Sequence, residues 1–221
     1  MTASLERSPE SLLGTVRTVL ALRSVKVALG AALALGIGCA LSPLTAVLGV
    51  ESALVIGLVL PPFAAAMGAR LAIRARAGNV AGAALTWEVL VAAKLVFVPS
   101  FVLSLGAALF VRWCSPVEGL AFYVLGPGLG VTLAVIAGLA LGVVVPGPRT
   151  ATTLAALTPV ALALVGLWRF YSTPAIYSYA HFAGYFPGTL YDPDVEISSE
   201  YLSRIFLVPS IRLSSLFGGR S

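Results

Sequence analysis

Apolar residues run along this chain almost without interruption, and charges fall at the ends of the runs. Neither the alternation of a half-buried strand nor the one-sided stripe of a soluble helix governs residues 27–171. The runs are apolar all round, as helices surrounded by lipid are. A helix crosses a bilayer with about 20 apolar residues. The pattern predicts five crossings, at about 27–48, 52–73, 89–112, 120–145 and 151–170.

The two ends of the chain read differently. Residues 8–24, "SPESLLGTVRTVLALRS", carry Leu12, Leu13, Val16, Val19 and Leu20 at helical spacing, with Arg17 and Arg23 elsewhere on the wheel. This predicts an amphipathic helix lying on the membrane, or else a short solvated extension of the first span. After residue 171 no stretch is long enough to cross; "SSEYLSRIFLV" (198–208) reads as a further amphipathic helix stopped by Pro209. The expected class is all-α, a polytopic membrane bundle. Its parts are an N-terminal segment (1–26), the bundle (27–171) and an interfacial C-terminal segment (172–221).

Composition agrees with a lipid-solvated chain. Of 221 residues, 59% are hydrophobic and 10% charged, with mean hydropathy +0.99. A soluble domain carries about 25% charged residues. The net charge of +5 does not point to nucleic acid, because the basic residues are not massed in a stripe. About 26 residues, several of them charged, precede the first run, which is not the layout of a signal peptide. Five crossings with a tail outside are also what a piece of a longer protein, or one lacking a sixth crossing, would show.

Charge sets the expected orientation. Segments assigned to the inner side hold nine basic and three acidic residues, and those assigned to the outer side five and six. By the positive-inside rule the N-terminus is expected in the cytoplasm and the C-terminus outside it, and the Ala/Gly/Arg-rich composition suggests a bacterial plasma membrane.

Spans associate in lipid by close approach of small residues. The fourth span has them in one unbroken i,i+4 row: Gly126, Gly130, Ala134, Gly138 and Gly142. The first has Gly30, Ala34, Gly38 and Ser42. Both rows are expected contact faces. Pro61 and Pro62 fall inside the second span, Pro99 in the third and Pro159 in the fifth. A proline removes a backbone donor and clashes with the preceding turn. The double proline is therefore the expected place for a kink, or for a discontinuous helix of the kind that binds transported substrates.

Groups that could carry chemistry are few. Glu88 and Lys94, near the inner end of the third span, are candidates for a substrate pathway, with interface anchoring the plainer reading. "GPGLG" (126–130) lacks the lysine of a phosphate loop and the third glycine of a dinucleotide fingerprint. One histidine cannot make a two-histidine metal site. The stretch "AHFAGYFPGTLYDPDVE" (180–196) stands apart: it holds His181, Tyr185, Phe186 and Tyr191, then Asp192, Asp194 and Glu196. Half of the aromatic residues lie between Trp168 and Tyr201. Such rings favour the headgroup zone, so an ordered outer cap is expected and not a metal site, the glycine and distal glutamate of a calcium loop being absent.

A surface helix followed by hydrophobic spans is similar in outline to the membrane subunits of exporters of the ABC-2 type. Those have six spans with both ends inside, and five spans with an outer tail depart from that. The expected function is that of a permease-like or transport-associated subunit; the alternative is a non-transporting anchor or scaffold. An enzyme is not expected, nor a cofactor or a metal. The expected partners are the lipid bilayer and either a second copy or another membrane protein.

Overall fold

The computed structural model describes residues 9–46, 48–78, 82–110, 116–172, 177–180 and 184–187. Five helical stretches are long and apolar enough to cross a membrane. Helix α1 (Pro9–Leu20) is followed by α2 (Arg23–Leu41), α3 (Val50–Gly78) and α4 (Gly82–Ala108). The fourth span is composite: α5 (Pro116–Tyr123), a π turn (Val124–Gly128) and α6 (Leu129–Val144). Helix α7 (Pro148–Ser172) is the fifth, and an antiparallel pair follows, β1 (Tyr177–Ala180) and β2 (Gly184–Pro187).

Several boundaries move from their expected places for local reasons. Helix α2 ends at Leu41 and not near residue 48, because the residue before a proline avoids the helical region; Ser42, preceding Pro43, is extended at φ −88°, ψ 124°. The amide of Ser42 still bonds Gly38 O at 3.1 Å, and the Thr45 hydroxyl donates to Cys39 O at 3.0 Å, so freed carbonyls at this helix end are used. The turn into α3 therefore covers residues 42–49 and is not the three-residue tip expected. In the first turn of α3, Ser52 accepts from the amide of Gly49 at 3.1 Å, the reach-back half of a capping box. At the start of α7, Pro148 takes the first helical position, where its missing N–H costs nothing.

Helix α3 is the centre. It packs against α2, α4, α6 and α7, and it is the most buried of the spans. Ile56, Leu60, Ala64, Met67 and Leu71 on α3, Val96 on α4, and Val131 and Val135 on α6 fill the middle of the bundle. Helix α7 is the most peripheral: Ala151, Ala155 and Pro159 form a narrow buried row at i,i+4, while Leu157, Leu164, Leu167 and Trp168 are exposed.

Contacts fix the relative directions. The carbonyl of Leu48 meets Gly119, Ala65 meets Gly138, and Ala69 meets Gly142, so α3 and the fourth span run parallel. Chain alternation then makes α2, α4 and α7 run against them. One end of the bundle carries Arg70, Arg74, Arg76 and Arg149 and is called here the basic end; the start of α3 and the end of α7 lie at the far end. Helix α1 meets α4 and α2, with Val19 buried and Arg17 exposed.

Candidate functional site

The expected contact row on the fourth span lies where α6 meets α3. Gly126, Gly130, Ala134, Gly138 and Gly142 are all buried. A Cβ at Gly138 would overlap Ala65 O, and one at Gly68 of α3 would overlap Val135 O. One at Gly142 would stand 2.6 Å from Ala69 O and 2.8 Å from Ala72 Cβ. The two helices thus exchange glycines, each backbone seating in a gap on the other. Gly126 is different, since a Cβ there would meet nothing within 4 Å.

On α2 the packing row is not the one read from the sequence. Gly30, Ala34 and Gly38 are exposed, and added Cβ atoms at Gly30 and Gly38 meet only open space. The row that packs is shifted by two residues: Ala28, Ala32 and Gly36 are buried. A Cβ on Gly36 would come within 2.9 Å of the Leu103 side chain and 3.2 Å of Ser100 Cα on α4.

Pro61 and Pro62 do not break their span. Helix α3 runs unbroken from Val50 to Gly78, with Pro61 fully buried and Pro62 half-buried. The irregular backbone is in the fourth span instead, at "VLGPG", where the sequence pointed to a packing glycine, Gly126, and an incomplete nucleotide loop but not to a helix irregularity. Pro127 has no amide to offer the carbonyl four residues back. The chain responds with a wider turn, in which the amide of Leu129 reaches Val124 O, five residues earlier.

Beside this turn sits the one group of polar side chains in the packed interior of the described residues. Tyr123, fully buried, ends α5. Its hydroxyl lies 3.2 Å from that of Ser104 on α4. Ser100, one turn earlier, donates to Phe97 O at 2.8 Å. Phe97, Phe101 and Tyr123 pack ring against ring at centroid distances of 5.5–5.9 Å. Gly128 leaves the room for this, since a Cβ there would stand 3.2 Å from the Phe97 ring. Hydroxyl contacts across spans act mainly as glue, and among the described residues no carboxylate, lysine or arginine is bonded to these.

The charged candidates separate. Glu88 faces Arg74 of α3, at 3.8 Å from Nη1 to Oε2. Lys94 is exposed on α4 and does not join them. Arg76 donates to Gly142 O and Val143 O at 3.2 and 3.3 Å, holding the carbonyl end of α6. Among the described residues no three His, Cys, Asp or Glu come together as a metal site would require.

Of the expected outer cap, Tyr185 and Phe186 fall in β2, paired with Tyr179 and Ser178 of β1. The bundle is all-helical, as expected, and this short strand pair follows it. Strand β1 lies near α7, and β2 near α3 and the π turn. His181, Tyr191, Asp192, Asp194 and Glu196 lie outside the described residues. Comparison with protein-family models, with curated proteins and with solved structures gives no match. Five helices of this length and composition are compatible with an integral membrane protein.

Proposed function

We propose that this chain is a membrane anchor or scaffold subunit, built to hold a fixed position in the bilayer beside a partner and not to form a pathway by itself. The observation that carries this reading is the packing around α3. A substrate path through the bundle would need wet or polar groups at mid-membrane, most naturally at the double proline. Pro61 is instead buried in a continuous helix, among Leu60, Ala64 and Ala65, which have no exposure at all. On this reading the protein performs no catalytic step. It sits in a bacterial plasma membrane with its basic end in the cytoplasm, and α1 rests on that surface.

A transport-associated role is the second reading. The π turn favours it, because wide turns of this kind recur at functional sites and allow a helix to change register. Its pathway would then open inside the bundle, between α3 and the fourth span, when the π turn changes register.

Cysteine accessibility separates the two. In a background lacking Cys39 and Cys114, Leu60→Cys and Ala64→Cys should resist membrane-impermeant thiol reagents from both sides. Gly78→Cys should react from one side. Labelling at Leu60→Cys or Ala64→Cys would mean water reaches mid-span and would restore the transport reading.

A further inference from the structure

Twenty residues of α3 separate Val50 from Arg70. At 1.5 Å per residue that is about 30 Å, the thickness of the hydrocarbon core. Arg70 therefore emerges at the phosphate level of the leaflet at the basic end. Arg74 lies four residues on, so both side chains leave the helix on one face. Arg70 is exposed.

Arg74 is only partly provided for. Its side chain keeps 40% of its surface, yet its Nη1 is shut off from solvent and has no hydrogen-bond acceptor among the described residues. The nearest carboxylate oxygen, Glu88 Oε2, stands at 3.8 Å. Charge-assisted bonds between guanidinium and carboxylate close to about 2.8 Å, so Glu88 holds the charge without satisfying the donor. Arg76, two residues on from Arg74, leaves the helix on another face, and its Nη1 is engaged on the carbonyls of Gly142 and Val143. Nη1 is closed in beside Glu88, so a headgroup would meet the exposed remainder of Arg74 together with exposed Arg70, two cations at headgroup depth with one carboxylate, 3.8 Å from Arg74.

We infer that Arg70 and Arg74 bind the phosphate of an anionic phospholipid at the basic end, where Glu88 offsets part of the charge of Arg74. Two guanidinium groups against one carboxylate leave a local charge of about +1. That complements the single uncompensated phosphate of phosphatidylglycerol. Phosphatidylcholine, whose ammonium cancels its own phosphate, complements it poorly.

The test uses the purified full chain in detergent, with lipid binding followed by native mass spectrometry and thermal unfolding. Phosphatidylglycerol should bind and raise the unfolding temperature more than phosphatidylcholine does. Arg70→Gln and Arg74→Gln should each weaken phosphatidylglycerol binding about tenfold, the scale of one lost charge-assisted contact. Arg149→Gln removes an exposed charge at the same end and should leave binding unchanged. Glu88→Gln should tighten it. If Arg74→Gln does not fold, Arg70→Gln and Glu88→Gln decide. The inference fails if the two lipids act alike, if Arg149→Gln weakens binding as much as Arg70→Gln, or if Glu88→Gln abolishes it. It fails equally if inorganic phosphate alone reproduces the stabilisation in an Arg70-dependent way, since the site would then belong to a free anion.

Discussion

Single atoms decide most at the α3–α6 contact. Any Cβ at Gly138 overlaps the Ala65 carbonyl, which is backbone and cannot swing aside. Overpacking a close contact costs about 1–3 kcal/mol, so Gly138→Ala should lower the unfolding temperature clearly, and Gly138→Leu should disrupt the fold. Gly126→Ala, in the same row but with open space at its Cβ, should be neutral or slightly stabilising. Equal losses at the two positions would show that the row does not act through close approach. At Tyr123 the ring and the hydroxyl have different weights. Tyr123→Phe removes only the hydroxyl and its contacts with Ser104 and Ser100, and should cost about 0.6 kcal/mol, the mean for one hydrogen bond between spans, or somewhat more. Tyr123→Ala also empties a fully buried site and should cost about 3–5 kcal/mol. Denaturant titration of the purified protein separates these values.

Helix by helix, the sequence carried the existence of the spans better than their faces. Apolar runs and their charged flanks point to five crossings because lipid tolerates few alternatives. Faces are harder, since lipid is as apolar as a packed interior and leaves no polar side to mark the outside. On α2, Gly30, Ala34 and Gly38 spell as good a small-residue row as Ala28, Ala32 and Gly36. Only the second meets α4. The fourth span offered a clue that went unused: a proline flanked by glycines at 126–128, where the backbone widens. The strand pair was signalled only by the turn residues of "FPG" and by Tyr177 and Tyr179 at alternate positions, too short a pattern to outweigh a helical background. Arg76 is the matching lesson in charge. It read as a mere topology marker, but it also holds the end of α6. Arg76→Gln should cost about 1 kcal/mol, allowing for exposure. Amide exchange should quicken over the last turn of α6 and leave α7 unaffected.

For the molecule as a whole, Arg70, Arg74, Arg76 and Arg149 gather at one end of the bundle, and the positive-inside rule expects that end in the cytoplasm. A reporter active only in the cytoplasm should report when fused after Gly78 and stay silent when fused after Ser221. Activity at both sites would require a different number of crossings after Gly78, and activity after Ser221 alone would mean the inverted orientation.

The parallel course of α3 and the fourth span also bears on how the protein is made. Seventy-three residues separate Ala65 from Gly138, the backbone it touches. At about 5–20 residues per second of synthesis, α3 waits roughly 4–15 s in the bilayer before its main partner is released. It can wait without harm, because the face reserved for α6 is Ala65, Gly68, Ala69 and Ala72, which lipid chains can cover as readily as protein. A surface that serves both as the finished seam and as a lipid-compatible holding state lets a late helix complete a bundle whose centre was inserted early.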